Sequence, residues 1–271
     1  MNRRVSPLIA IALLLALVAI LGHLLSPSDG LAINLDKRLL APNWHHPLGT
    51  DEFGRDVFSR ILLGAGTSFF IAGATVFLAL SLGMMIGTVS AYIGGWVDRG
   101  IMAANDVFLA FPSTIIALSL LAIMGPGPTS LVLGLTVAYI PVVVRLSRSI
   151  VLSVRHSDYV HASLMMRNSH LYTIGRHVIP NSIGPMFILG GAMFGWVILS
   201  ESSLSFLGLG VPAPAPTWGN MLAASRAYLH SAPWLSIFPG ICITTVLLFT
   251  NIAGDRMRDR YDPRLPSNAK D

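Results

Sequence analysis

Charged residues divide this chain into long apolar stretches. Between Arg4 and Asp29 lie 24 residues with no Asp, Glu, Lys or Arg; 37 separate Arg60 from Asp98, and 38 separate Asp106 from Arg145. Three further gaps hold 24 residues (Arg176 to Glu201), 24 (Glu201 to Arg226) and 28 (Arg226 to Asp255). A helix that crosses a bilayer needs about 20 predominantly apolar residues, so each gap is long enough for one. Gly and Pro clusters cut the pattern further. Gly125-Pro126-Gly127-Pro128 predicts a tight turn, so the gap 107–144 holds the end of one helix and most of another. Pro212, Pro214 and Pro216 make much of 202–225 a loop. Six spans are predicted, near 5–25, 69–93, 101–124, 129–149, 181–201 and 235–254. An external loop at 26–68, a cytoplasmic loop at 150–180 and a second external loop at 202–234 join them.

Composition sets the class. Of 271 residues 53% are hydrophobic and 11% charged, less than half of the roughly 25% charged residues of soluble domains. The expected fold is an all-α membrane protein in one transmembrane domain, 1–271. Arg3-Arg4 before an apolar run could also open a cleaved signal peptide, but no small-x-small site follows and His23-Leu24-Leu25 continue the run, so an uncleaved span is expected. With six spans and an inner N-terminus, the inner segments carry Arg3, Arg4, Arg99, Arg145, Arg148, Arg155, Arg167, Arg176, Arg256, Arg258, Arg260, Arg264 and Lys270, 13 of the 18 basic residues. This asymmetry places both termini of a multi-pass protein in the cytoplasm. The net charge of +5 then reflects the inner leaflet; no basic patch carries interleaved aromatics, so no nucleic-acid partner is expected. The lone Cys242 permits no internal disulfide.

Against this background 159–181, YVHASLMMRNSHLYTIGRHVIPN, is a polar island in the longest cytoplasmic loop. Ser157 suits a helix N-cap and Asp158 suits the first turn, where its charge complements the helix dipole. Tyr159, Val160 and Leu164, then Leu171, Ile174 and Val178, recur at helical spacing, with a break at Arg167-Asn168-Ser169. Ser169 can cap a second short helix that Pro180 bounds before the next span. Two short helices with apolar residues must bury them: on the membrane, on this chain's own helix ends, or on a partner.

Other chemistry is sparse. Lys37 and Lys270 are the only lysines and neither follows Gly, so no phosphate-cradling loop ending in Gly-Lys exists and energy must come from a partner or an ion gradient. Asp106 near the inner end of the third span and Glu201 near the outer end of the fifth are ionisable groups within apolar segments, which are costly and usually functional. An ion-coupled secondary transporter using these two acids is therefore the competing class, though both lie near span ends and no inverted repeat is evident. Asp51, Arg55, Asp56 and Arg60 alternate in sign, and Asp56 and Arg60, four apart, fit one face of a solvated interfacial helix. His45-His46 lack a third ligand at helical spacing, so no metal site is expected. Gly83/Gly87 and Gly190-Gly191 fit close helix packing, and Met84-Met85 and Met165-Met166 fit core or interface filling. No HExxH, Ser/Lys dyad spacing or GxSxG is present, which argues against an enzyme.

Five motifs carry a resemblance: LGTDEFGRDVFSRILLGAGTS at 48–68, YIGGWVDRGIM at 92–102, NDVFLAFPS at 105–113, the island itself, and ESSLSFLGLGVPAPAPTWGNML at 201–222. In this order they resemble the peptide/nickel permease family of ABC importers, and within it the C-type subunit of a permease pair. The island resembles the family's EAA loop, which docks onto a cleft in an ATPase subunit. The resemblance implies the type I ABC importer permease fold and a heterodimer with a second, B-type permease. It also implies two ATPase subunits carrying ATP and Mg, an external solute-binding protein, surrounding membrane lipid, and no cofactor on this chain. The cargo it implies is a small peptide or a nickel or metal-chelate complex; only four residues precede the first span, which leans toward the nickel type.

Residue by residue, the resemblance implies ATPase coupling for Tyr159, Val160, Ala162, Ser163, Leu164, Arg167, Asn168, Leu171, Ile174, His177 and Pro180. It implies an external cap that seats the binding protein for Gly49, Thr50, Asp51, Gly54, Arg55, Asp56 and Arg60. It implies translocation-path or gate support for Asp106, Pro112, Glu201, Ser205, Phe206, Trp218 and Gly219. One residue departs from the pattern: Arg167 stands where the family usually has Gly. Arg disfavours the positive φ of such a turn, and Asn168 tolerates the left-handed region better, which leaves two alternatives: Arg167 keeps the turn, or the turn shifts by one position to Asn168.

Overall fold

The computed structural model describes residues 30–261. The predicted span at 5–25 and the basic residues Arg3, Arg4, Arg264 and Lys270 lie outside the described residues. Within them the chain is helical: α1 (Val57–Ile93), α2 (Gly95–Leu109), α3 (Ser113–Met124), α4 (Pro128–Arg155), α5 (Asp158–Met165), α6 (His170–Thr173), a π-turn (Ile174–Val178), α7 (Ile179–Phe206), α8 (Trp218–Ser225) and α9 (Trp234–Tyr261). Four helical stretches among the described residues are long and apolar enough to cross a membrane, and a bent pair makes up to five.

Three boundaries differ from the sequence pattern, each for a local reason. The span expected at 69–93 begins at Val57, because Asp56 caps it: its Oδ2 accepts from Ser59 N–H and Ser59 Oγ–H, both at 2.8 Å. At 37 residues, α1 is about 55 Å long. The span expected at 101–124 is instead two helices, α2 and α3, bent by 87° at Ala110-Phe111-Pro112. Pro112 has no N–H to continue the ladder, and its ring pushes Phe111 out of the helical region. The third difference is that Pro180 does not separate the island from the fifth span. It is the second residue of α7, and α6, the π-turn and α7 form one 37-residue helix, His170–Phe206. The π-turn absorbs the proline: Ile179 N–H reaches back to Ile174 C=O, one residue further than an α-helix would allow.

The bundle is organised by close approach. Lipid is as apolar as leucine, so helix association in a bilayer rests on packing contacts. α1 lies along α4, and a β-carbon on Gly83 would stand 2.6 Å from Val143 Cβ, one on Gly87 2.7 Å from the Val144 carbonyl oxygen. These glycines do the packing expected of them. Gly190 packs likewise against Leu80, whereas Gly191 faces open space. Ile71, Leu121, Leu131, Leu135, Met193, Ile198 and Leu204, from α1, α3, α4 and α7, fill the buried core. Met84 packs at its margin, but Met85, Met165 and Met166 are exposed, so the latter pair is not core.

Candidate functional site

The residues singled out in the sequence gather at the two ends of the bundle. At one end, 30–56 folds over the start of α1. Gly54 turns at φ +72 against the Asn34 carbonyl, so tightly that a β-carbon there would overlap it. Asp51 accepts from the N–H groups of Phe53 and Arg55 at 2.9 Å, pairs with Arg55 Nε at 2.7 Å and lies 3.4 Å from Arg60 Nε. Thr50 ties three segments: its hydroxyl accepts from Leu40 N–H and donates to Lys37 C=O, and its carbonyl accepts from Trp234 Nε1. Gly49 packs on the same Trp234 ring. The expected solvated helix with an Asp56–Arg60 pair is not found: all four charges are buried, and Asp56, spent on capping α1, pairs with His46 Nδ1 at 3.0 Å. Burial favours a fixed network because an unpaired charge there would be costly. Among the described residues no cluster of His, Cys, Asp or Glu could hold a metal.

Beside it, the 201–222 motif folds on itself. Glu201 is 1% exposed; its Oε1 accepts from Ser205 Oγ at 2.8 Å and from Thr217 Oγ1 at 3.0 Å. Thr217 and Asn220 form a capping box at the start of α8, and the Asn220 amide also donates to the Val211 and Ala215 carbonyls, closing the proline-rich loop. Trp218 is buried, its N–H on Ser68 Oγ and its Nε1–H on Ile61 C=O, with its ring edge-on to Phe69. Gly219 is required by contact: a β-carbon would stand 2.7 Å from Ser202 Cα. Phe206, half exposed, lies under the Arg226 guanidinium, which also bonds its carbonyl. This motif is therefore a clamp of α8 and the loop onto α1 and α7.

Asp106 and Pro112 lie elsewhere. Asp106 is exposed on α2 and pairs with Arg145 of α4 at 2.6 Å, and Pro112 makes the bend after α2. Glu201 and Asp106 are thus on different elements with separate partners.

At the opposite end stands the island. α5 and α6 are two short helices joined at 166–169, and three hydroxyl and amide groups pin them: Ser163 Oγ to Thr173 Oγ1 at 3.1 Å, and Asn168 Nδ2 to Ser163 Oγ at 3.2 Å. Ser169 caps α6 by accepting from Tyr172 N–H. Ser157 holds the N-terminal position of α5 through its carbonyl, but its hydroxyl turns back to Val154 C=O. The turn between the helices does not move to Asn168. Arg167 itself adopts φ +59, and Asn168 N–H closes a six-residue ring to Ser163 C=O, the Schellman bond that follows a left-handed residue. The tertiary frame on either side fixes the chain's direction, so a non-glycine residue is held in a seat that favours glycine.

The same residues divide into an inner and an outer face. Val160 and Val178 are fully buried, Val178 against Ala91 and Val151. Met165 (86% exposed) and Leu171 (82% exposed), with Tyr159, Met166 and Tyr172, stand in the open. Ala162, His177 and Ile174 complete the surface between them, His177 ringed by Tyr159 and Tyr172. Leu164 lies in α5; its side chain is outside the described residues.

Sequence reasoning missed the acids and bases that brace this end. Asp98 of α2 takes both nitrogens of Arg148 at 2.6 Å and Ser90 Oγ at 2.6 Å. Tyr92 Oη is 2.9 Å from His170 Nδ1. Charge alternation could have flagged Asp98, but its partner is 50 residues away.

Comparisons with known proteins agree with this geometry. The chain is 39% identical over 251 residues to the dipeptide transport system permease protein DppC of Alkalihalophilus pseudofirmus, covering 93% of this chain and 83% of that one. It is 35% identical to the nickel transport system permease protein NikC of Escherichia coli K12, with 95% and 93% covered. The glutathione transport system permease protein GsiD of Pectobacterium atrosepticum is also 35% identical, with 94% and 85% covered. A solved inward-facing structure of the MetNI methionine ABC transporter superposes with a TM-score of 0.60 at 14% identity, covering 73% of this chain and 95% of that chain, and shares the fold. Residues 79–266 match the family described as binding-protein-dependent transport system inner membrane component, and the chain belongs to that family of ABC importer permeases.

Proposed function

We propose that this chain is the C-type half of a heterodimeric permease, driven by ATP hydrolysis on two partner ATPase subunits and fed by a solute-binding protein. The observation that carries it is the exposed apolar ridge of Tyr159, Met165, Met166, Leu171 and Tyr172 on α5 and α6. A ridge of this size on short helices needs a covering surface, and an ATPase cleft suits two stiff helices set across the end of a span. In this orientation both termini and the island are cytoplasmic, and the cap of 30–56 is external. Because α6 runs into α7 without a break, a push on the island moves a spanning helix as one body. Closure of the ATPase pair thereby biases the bundle between two arrangements. The buried cap and the Glu201 clamp keep the outer end rigid while the inner end moves, and the path runs between this chain and the second permease, with Asp106 and Pro112 on its flank. ATP and Mg are held by the partners, and this chain supplies no cofactor site.

The cargo is a small peptide or a nickel or metal-chelate complex, as in the relatives' names. Titration of the cognate binding protein with dipeptides, nickel salts and nickel chelates decides between them. The architecture is tested by reconstituting the complex in liposomes. Leu171→Glu is expected to weaken ATPase association at least tenfold, since a charge then meets an apolar cleft, and to abolish ATP-dependent uptake. Uptake that follows a proton gradient without ATP overturns the proposal.

A further inference from the structure

The island is fastened to the rest of the chain at a corner that the coupling proposal does not itself require. α1 ends in Tyr92-Ile93-Gly94-Gly95, where both glycines take positive φ (72 and 58) and reverse the chain into α2. Three side chains from distant elements converge there. Asp98, one turn into α2, is gripped by Arg148 of α4 and by Ser90 of α1. Arg155, the last residue of α4, donates to the Ala91 carbonyl at 3.0 Å and stands 6.0 Å over the Tyr92 ring. Tyr92 then reaches the island: its hydroxyl is hydrogen-bonded to His170 Nδ1 at 2.9 Å, and the two rings meet edge to face with centroids 5.5 Å apart. His170 is the first residue of α6, so the bond joins the island's second helix to the end of α1, 78 residues away.

We infer that Tyr92 is a positioning residue for energy coupling: through His170 it holds α6 to the α1–α2 corner, so that movement of the island reaches α1 and α2 as well as α7. This rests on the proposed docking of the island to an ATPase. Without the bond, a push on the island passes directly only into α7 and, through His156-Ser157, into α4. α1 and α2 then follow only at second hand, through α4 and its bonds from Arg155 to the Ala91 carbonyl and from Arg148 to Asp98, and hydrolysis is less completely converted to transport. The hydroxyl is the part that matters, since the ring contacts to His170 and Arg155 survive its removal.

The test uses the full complex in liposomes. Tyr92→Phe deletes the hydroxyl and keeps the ring; His170→Phe deletes the ring nitrogen that bonds it. Each is expected to leave ATPase association unchanged and to lower the number of substrates moved per ATP by about three- to tenfold, the range a single hydrogen bond supports. The double variant is expected to be no worse than either single one, the mark of a direct pair. His170→Gln, which can still bond the hydroxyl, is expected to restore coupling. Wild-type coupling in Tyr92→Phe, or additive losses in the double variant, overturns the inference. Failure of the docking itself is read separately, from Leu171→Glu: if that variant still associates and transports, the docking proposal is wrong whatever Tyr92→Phe shows.

Discussion

Arg167 is the residue where sequence and structure disagree most usefully. Of the two alternatives, the turn centred on Asn168 is absent: Asn168 is committed to Ser163, and Arg167 occupies the left-handed seat at φ +59. A non-glycine residue there costs roughly 1–2 kcal/mol. Arg167→Gly is therefore expected to stabilise the island by about 1 kcal/mol, visible as slower amide exchange in α5 and α6. Faster exchange would mean that the guanidinium makes compensating contacts in the assembled complex. At the other end, Thr217 serves two roles, capping α8 and donating to Glu201. Thr217→Ala removes both and is expected to cost about 1–2 kcal/mol, measured as a fall in melting temperature, whereas Thr217→Ser is expected to keep most of that stability.

Among elements, the interface of α1 with α4 is set by small residues. Gly87→Leu would drive a side chain into the Val144 carbonyl and Ser147 and is expected to prevent assembly of the bundle, seen as aggregation in mild detergent. Gly191→Ala, which meets open space, is expected to be neutral; if both variants behave alike, close packing does not organise these helices. In the island, Ala162→Pro removes the Ala162 N–H from an eight-residue helix and costs about 3 kcal/mol. It is expected to abolish substrate-stimulated ATP hydrolysis. Unchanged hydrolysis in the reconstituted complex would make the island a membrane-surface element.

For the whole molecule, two folded ends enclose a bundle with, among the described residues, one bent helix pair and two very long helical stretches. The cap at 30–56 and the Glu201 clamp use buried side chains tied to α1, α7 and α9, while the island buries Val160 and Val178 but turns Tyr159, Met165, Met166, Leu171 and Tyr172 outward. That asymmetry supports the proposed arrangement, in which one end holds its shape and the other receives force from an ATPase. Helix existence, the Gly-Pro turn at 125–128 and the break at 167–169 were legible from spacing, because breakers and apolar runs act locally. The break between α2 and α3 was readable in principle from Pro112, yet an unbroken apolar run outweighed it. The continuity of α6 with α7 was not, since a π-turn ahead of Pro180 leaves no periodic signature.

By itself the sequence determined that this is a helical membrane protein and which family it resembles, since those follow from apolar length and short motifs. Only the tertiary structure decided which charges meet. Asp51 rather than Asp56 holds Arg60, Asp98 finds Arg148, and Tyr92 finds His170. The first pair is set by the fold of the cap over the start of α1, and the other two by helix packing across 50 and 78 residues; no spacing along the chain encodes a distance through the bundle.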